Sequence, residues 1–143
     1  MKEPRRDLVN SIGLLVLRLG AGGLLLCGHG WGKLMSAGAI APEFADPIGV
    51  GPVPSFWLVV FAEVLCTSLV MVGFLTRLST LPILGFLAVA GFIQHAHDPW
   101  PRRELAFLFA VPFLALLMTG PGRFSLDALA KPRGPWGGAR PGS

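Results

Sequence analysis

The stretch FWLVVFAEVLCTSLVMVGF, residues 56–74, decides the fold because it runs for 19 residues with Glu63 as its one charged side chain. A helix of about 20 apolar residues spans the hydrocarbon core of a bilayer, so the stretch predicts a transmembrane helix. Three further apolar runs occupy residues 12–28, 81–94 and 105–118. The last two are short, and polar residues at their ends extend them through the interface. We therefore expect an all-α integral membrane protein, a bundle of four spanning helices.

The composition agrees with lipid as the solvent, since 52% of the 143 residues are hydrophobic and 14% are charged. Soluble domains carry charge on about a quarter of their residues. The net charge of +4 does not indicate nucleic acid as a partner, because the basic residues flank the apolar runs instead of lining one face. We predict one four-span domain, residues 1–130, and a disordered tail rich in proline and glycine, residues 131–143.

The distribution of lysine and arginine predicts the orientation. Loops on the cytoplasmic side of a membrane carry an excess of these residues. Eight fall on one side of the predicted spans: Lys2, Arg5, Arg6, Arg77, Arg123, Lys131, Arg133 and Arg140. Three fall on the other side: Lys33, Arg102 and Arg103. We therefore expect a multi-pass protein of the prokaryotic cell (inner) membrane, with both termini cytoplasmic.

The lengths of the connections between the spans constrain how neighbouring helices are arranged. Only residues 75–78 separate the second and third spans, so these two helices must form an antiparallel hairpin. Residues 35–54 are rich in glycine, alanine and proline. That length permits either a structured cap over the outer mouth of the bundle or a mobile loop. Pro82 is expected in the first turn of the third helix, where its missing N–H costs little.

Polar residues inside the spans are the first functional signal. Arg18, Gly22, His29 and Lys33 follow one another at spacings of four, seven and four, which places them on one stripe of the first helix. That stripe must face protein. Gly28 and Gly32 lie near it and would let another backbone come close.

Glu63 is the second signal, because a carboxylate inside a bilayer needs a partner, a proton or water. Arg18 and His29 are the candidates on the facing stripe, and the sequence leaves the choice between them open. Both would sit at depths from which a side chain or a bridging water could reach Glu63.

A third group of polar residues, His95, His97, Asp98 and Glu104, crowds the junction of the third and fourth spans. His29 and Lys33 arrive at the same outer mouth from the first span. The group indicates a site, although histidine and aspartate are also ordinary in a hydrated loop. The spacing of His95, His97 and Asp98 is weak as a metal motif, so we assign no metal and no catalytic residue.

Several motifs together resemble the DoxX family of small four-helix membrane proteins. They are Arg-Leu-Gly at 18–20 with Gly-His-Gly-Trp-Gly-Lys at 28–33, Phe-Ala-Glu at 61–63 with Val-Gly-Phe-Leu-Thr-Arg at 72–77, and Glu-Leu-Ala at 104–106 with Gly-Pro-Gly-Arg-Phe-Ser-Leu-Asp at 120–127. The resemblance implies a membrane partner in redox chemistry, since such proteins have been linked to thiosulfate:quinone oxidoreductase subunits and to membrane-associated oxidoreductase complexes. It also implies that the characteristic polar positions are Arg18, His29, Lys33, Glu63, Arg77 and Glu104.

Three functions are open at this point. The first is a membrane subunit for quinone- or thiol-linked oxidoreductase chemistry, which binds a quinone between its helices, uses Glu63 and His29 to handle protons, and has Arg18 tune Glu63. The second is a noncatalytic accessory or scaffolding subunit of a larger membrane complex or homo-oligomer. The third is a small transporter. The residues do not decide whether the chain is itself an enzyme.

Overall fold

Long helices dominate the computed structural model, which describes residues 3–130. The first long helix is Pro4–Met35, the second Pro52–Val72, the third Thr76–Gln94 and the fourth Trp100–Thr119. Short helices occupy Ala37–Ile40, Ala41–Glu43 and Leu126–Ala130. The all-helical prediction is confirmed, since residues 3–130 contain no strand. The predicted disordered tail, residues 131–143, lies outside the described residues.

Each of the first three long helices changes locally from α to π geometry. The π segments are Leu26–Gly30, Phe61–Cys66 and Ala90–Gln94. The flanking α segments are Glu3–Leu25 and Trp31–Met35 in the first helix, Pro52–Val60 and Thr67–Val72 in the second, and Thr76–Val89 in the third. Such π segments are rare and often occur at functional sites.

Three of the long helices are long and apolar enough to cross a membrane: Pro4–Met35, Pro52–Val72 and Thr76–Gln94. In their most apolar stretches only 28%, 44% and 33% of the residues are buried. Large apolar side chains such as Val16, Leu24 and Val111 therefore point outward. A water-soluble protein does not expose apolar surface on this scale. The chain is accordingly a membrane protein whose outer surface contacts lipid.

The interior holds one main apolar cluster. All four long helices contribute to it, and its buried members are Leu25, Cys66, Val70, Ile83, Leu87, Ala106, Phe113 and Leu116. A smaller cluster of Ala41, Phe56 and Val60 lies beneath the connection between the first two helices. The main cluster therefore fills the middle of the bundle, and polar side chains are concentrated at its two ends.

One end is closed by residues 36–51, which we call the cap segment. Of the two sequence-based alternatives, the structured cap is the one observed. The Phe44 ring packs edge-on against the Phe56 ring, with centroids 5.3 Å apart. Asp46 accepts hydrogen bonds from Val50 N at 3.0 Å, Gly51 N at 2.8 Å and Ser55 Oγ at 2.7 Å. These bonds, led by that of Ser55, lower the pKa of the Asp46 carboxyl.

At the other end, which we call the hairpin end, the second helix turns into the third. Gly73 ends the second helix at φ +74°, and Leu75 takes φ +47°. The Asp127 carboxylate accepts the N–H groups of Leu75 at 2.7 Å and Thr76 at 2.9 Å, and so caps the third helix. The predicted hairpin between the second and third helices is confirmed, and the third helix begins earlier than its apolar run predicted. Since the third helix begins at Thr76, Pro82 lies inside it and not in its first turn.

Candidate functional site

An ion pair between the first and second helices is the centre of the site. Lys33 Nζ lies 2.6 Å from both Oε1 and Oε2 of Glu63. The Glu63 side chain is 3% exposed and the Lys33 side chain 25% exposed. Our expectation that Arg18 or His29 is the partner of Glu63 is wrong. Because both carboxylate oxygens are bound to an ammonium group, Glu63 is held as a charge-assisted pair inside the bundle.

Relative height along the two helices explains why Arg18 is not the partner. The first helix continues to Met35 and carries Lys33 in its last two turns. Lys33 lies 15 residues beyond Arg18, which is about 22 Å at 1.5 Å per residue. Glu63 lies ten residues before Gly73, or about 15 Å along the antiparallel second helix. Since Arg18 lies against Gly73, it is about 15 Å from the level of Glu63. The Lys33 backbone lies about 7 Å beyond that level, and its long side chain, which leans toward the N-terminus of the first helix, covers the difference.

Close helix contact at the pair depends on Gly30. A Cβ added at Gly30 would lie 2.9 Å from the backbone oxygen of Glu63, a distance that requires the helices to move apart. The prediction placed this close approach at Gly28 and Gly32, and it is wrong, because a Cβ at either position would have no neighbour within 4 Å. The π segment Leu26–Gly30 changes the helical phase, so an extrapolated period of 3.6 residues misplaces the glycines beyond it.

A small cavity of about 160 Å³ lies beside the ion pair, and we call it the polar chamber. Its polar lining comes from three of the long helices and from the connection that follows the third: His29, Lys33, Glu63, His95 and Arg102. The His29 ring stands edge-on to the Phe109 ring, with centroids 5.6 Å apart. The first-helix stripe thus faces the protein interior as predicted, with Arg18 and Gly22 buried and His29 and Lys33 half-buried.

A larger cavity of about 650 Å³, the apolar pocket, adjoins the polar chamber. The cap segment, the second helix and the third helix supply most of its wall through apolar side chains such as Phe44, Ile48 and Leu58. Four residues line both cavities: Lys33, Phe86, Ala90 and His95. The two cavities therefore meet at a short wall that carries one ammonium group and one imidazole.

The junction of the third and fourth helices forms the rim of the polar chamber. His95 Nδ1 lies 2.7 Å from Asp98 Oδ2, and Arg102 Nη1 lies 3.7 Å from the same oxygen. The hydrogen bond to His95, followed by the charges of His95 and Arg102, lowers the pKa of the Asp98 carboxyl. Asp98 therefore orients the two nitrogen-bearing side chains that line the chamber.

The other predicted site residues lie apart from this arrangement. His97 and Glu104 are exposed and line neither cavity. Arg77 is exposed and donates a hydrogen bond to the Met118 carbonyl at 3.1 Å, at the hairpin end. Within residues 3–130, no group of three or more histidine, cysteine, aspartate or glutamate side chains is placed to hold a metal ion.

Arg18 belongs to the hairpin end and not to the site. It is fully buried, its Nη2 donates to the Phe124 carbonyl, and its charge is attracted by Asp127. A Cβ at Gly73 would overlap Arg18 Nη1, so the absence of a side chain at Gly73 makes room for the guanidinium. Nε and Nη1 have no hydrogen-bond partner in the described part of the chain. Arg18 thus holds the C-terminal segment against the hairpin, about 15 Å from Glu63.

Sequence reasoning missed several residues that shape the site. Gly30 and Arg102 were not singled out, and the cap segment was not assigned to a pocket. The run Gly-His-Gly-Trp-Gly-Lys at 28–33 signals that some glycine there faces a neighbour, but only the π geometry selects which one. For Arg102 the available signal was its spacing of four from Asp98, typical of a pair on one helix face.

Comparison with known proteins agrees with these features. The profile of the DoxX family matches residues 13–96, which confirms the resemblance seen in the sequence. Uncharacterized membrane protein Rv3486 of Mycobacterium tuberculosis is 33% identical, in an alignment covering 82% of each chain. Inner membrane protein YqjF of Escherichia coli is 31% identical, covering 85% of this chain and 94% of that protein. No solved structure gives a significant match.

Proposed function

Because this chain belongs to the DoxX family of membrane proteins, we propose that it is a membrane subunit of an oxidoreductase system that binds a quinone in the apolar pocket. The observation that carries the proposal is the wall shared by the two cavities. There, Lys33 and His95 place an ammonium group and an imidazole at the boundary between an apolar volume and a polar one. A ligand with an apolar tail and a ring bearing polar oxygens matches that boundary.

The dimensions of the pocket support this ligand class. Ligand pockets typically have volumes of about 300–1,000 Å³, apolar walls and a few polar groups that orient the ligand. The apolar pocket has about 650 Å³, and its cap-segment side chains Phe44, Pro47 and Ile48 face apolar side chains of the second and third helices. Such walls accept a flat ring and the first units of a hydrocarbon tail.

The polar residues at the boundary suit the proton chemistry of this ligand. Reduction of a bound quinone to the quinol would consume two electrons and two protons, and oxidation of the quinol would release them. Lys33 can donate a charged hydrogen bond to a carbonyl oxygen. His95, held by Asp98, and His29, inside the polar chamber, supply imidazole nitrogens that can hydrogen-bond the oxygens of the ligand or water beside them. Glu63 holds Lys33 in place and balances its charge.

The proposal includes a placement in the membrane. The fourth helix, Trp100–Thr119, packs closely against the third, and its 20 residues allow it to serve as a fourth span. Its charged residues Arg102, Arg103 and Glu104 then lie at the interface. The excess of lysine and arginine at the hairpin end and in both terminal segments puts these on the cytoplasmic side of the prokaryotic inner membrane. Reporter fusions at residue 49 and at the C-terminus test this orientation.

The direct test is binding of a short-chain quinone to the purified protein in lipid nanodiscs. Replacement Gly85→Leu adds a side chain to the wall of the apolar pocket without a clash, since a Cβ there has no neighbour within 4 Å. We expect it to weaken binding by at least about tenfold, equivalent to ~1.4 kcal/mol. Glu63→Gln leaves Lys33 without its counterion and should also change the affinity.

The matched control is Gly13→Leu, on an outward-facing position of the first helix with no neighbour within 4 Å. It should bind quinone like the wild type. Equal affinity of the wild type, Gly85→Leu and Glu63→Gln would show partition into lipid and refute the pocket. Absence of any binding above that of empty nanodiscs would do the same.

A noncatalytic accessory subunit is the second candidate, and Arg18 is the observation that favours it. The most deeply buried ionisable side chain of the described chain serves to hold residues 124–127 at the hairpin end, far from both cavities. This fixes the helix Leu126–Ala130 as a docking element for a larger complex or a second copy of the chain. Copurification with a stable partner whose turnover is unaffected by Glu63→Gln would favour this function.

A further inference from the structure

The polar chamber contains groups that require water. No other described residue hydrogen-bonds the ring nitrogens of His29, which is packed edge-on to Phe109. A polar group left without a partner away from water costs about 1–3 kcal/mol. A water molecule takes about 30 Å³ of liquid volume, so a chamber of about 160 Å³ has room for several. Water within the chamber satisfies His29 and completes the shell of Lys33.

The chamber opens toward the cap end. Exposure falls steadily from its rim to its floor: the side chain of Arg102 is 73% exposed, that of His95 35%, that of Lys33 25% and that of Glu63 3%. The exposed rim lies between the third and fourth helices, next to the residues 95–99 connection. Water therefore reaches Lys33 and Glu63 past Arg102 and His95.

The chamber is closed toward the hairpin end. Leu25 and Leu87 form part of its floor, and both belong to the main apolar cluster together with the fully buried Val70 and Phe113. The next charged group on this side, Arg18, is fully buried about 15 Å below the level of Glu63. The buried hydroxyl of Thr67, which lies between them, donates to the Ala62 carbonyl of its own helix. Apolar interiors packed in this way exclude water, so the cluster separates the two ends of the bundle.

We infer that the polar chamber is a water-filled vestibule that gives the Lys33–Glu63 pair access to the aqueous phase at the cap end alone. The titratable and charged groups that line the chamber with the pair are His29 on the first helix, His95 directly after the third and Arg102 on the fourth. Any proton that the pair or its neighbours gain or lose therefore passes through the water at the cap end. The inference deepens the proposed function by fixing the side of proton exchange, and it holds whether or not a quinone binds.

Cysteine labelling tests the inference on the full chain in sealed vesicles. In a Cys27→Ala, Cys66→Ala background, Ala106→Cys places a thiol in the chamber wall, and Val70→Cys places one in the apolar cluster. The probe is a membrane-impermeant methanethiosulfonate added to one side at a time. Two exposed positions, Ser36→Cys at the cap end and Arg123→Cys at the hairpin end, report which side has been reached.

We expect Ala106→Cys to react from the side that labels Ser36→Cys, and Val70→Cys to react at least about 100-fold more slowly because its thiol is buried among apolar groups. Ala90→Cys, on the third-helix wall of the same chamber, gives an independent second reading. Should both chamber cysteines stay unreactive while Ser36→Cys is labelled, the chamber is dry and the inference is wrong.

Labelling of Ala106→Cys from the side that reaches Arg123→Cys would overturn the inference in another way, since it requires a path through the apolar cluster. That result would favour a transporter. The assay contains no quinone, so its outcome is independent of the binding test. A dry chamber with normal quinone binding refutes this inference alone, and a wet chamber without quinone binding refutes the proposed function alone.

Discussion

The Lys33–Glu63 pair makes the sharpest energetic prediction. Lys33→Met keeps most of the side-chain volume and removes the ammonium group from a carboxylate that is 3% exposed. Breaking a buried ion pair by removing one partner costs about 3–5 kcal/mol, because the other charge is left uncompensated. The chamber beside the pair supplies some water to Glu63, so we expect a loss at the lower end, about 3 kcal/mol.

The reverse replacement should cost less. In Glu63→Gln, the ammonium of Lys33 remains 25% exposed at the edge of the polar chamber and can turn to water. We therefore expect a loss of about 1.5–2 kcal/mol, the lower part of the range for one lost hydrogen bond to a charged group. The double variant Lys33→Met, Glu63→Gln leaves no buried charge. Its loss should fall below the sum of the two single losses by about 1.5–3 kcal/mol.

The assay is equilibrium unfolding by sodium dodecyl sulfate in mixed micelles, followed by circular dichroism. Arg123→Met, at an exposed position of the hairpin end, is the control and should change stability by less than about 0.5 kcal/mol. If the losses of the two single variants add to that of the double variant within about 0.5 kcal/mol, the two side chains do not interact and the reasoning is refuted.

Three further predictions concern the two ends of the bundle. Gly73→Ala should lower the unfolding free energy by at least about 2 kcal/mol, because the residue takes φ +74° and faces Arg18. The control Gly23→Ala has open space around its Cβ and should be neutral. A similar loss of stability for both variants would contradict this reasoning. Asp127→Ala should cost more than the ~1 kcal/mol of a lost helix cap, because it also removes the negative charge that attracts the buried Arg18. It should speed hydrogen exchange in the first turn of the third helix, and unchanged exchange there would argue against the cap. Asp46 stabilises the cap segment only as a carboxylate, and folding lowers the pKa of that carboxyl. Its contribution to stability is therefore complete above the ordinary pKa of about 3.9 and is lost as the pH falls through the lowered pKa. Hydrogen exchange of residues 49–51 should reveal this step in the wild type and not in Asp46→Asn; a step of the same size in both would mean that another group is responsible.

The local sequence determined that the chain is helical and that lipid is its solvent. Apolar runs of spanning length admit only structures whose backbone hydrogen bonds are satisfied internally, so a membrane helix follows from residues 56–74 without any tertiary information. Helical periodicity also accounts for the buried face of the second helix, where Glu63, Cys66, Thr67 and Val70 are all buried. Periodicity was sufficient for these features because a regular helix repeats its geometry at every turn.

The partner of Glu63 could not be predicted in this way. Depth along a helix depends on where the helix begins and ends, and the apolar run at residues 12–28 does not set the height of Lys33 relative to Glu63. The π segment Leu26–Gly30 then shifts the phase, so Gly30 and not Gly28 meets the second helix. Both effects come from packing between helices and leave no mark in the hydropathy of the chain.

What the amino-acid sequence determined by itself is therefore the set of helices, their lipid-facing character and the presence of ionisable groups that must turn inward. Only the tertiary structure decided which of those groups meet: Lys33 with Glu63 beside the polar chamber, and Arg18 with Phe124 and Asp127 at the hairpin end. The physical reason is that burial of charge is dictated by local composition, whereas the choice among several possible partners depends on helix ends, phase and relative height.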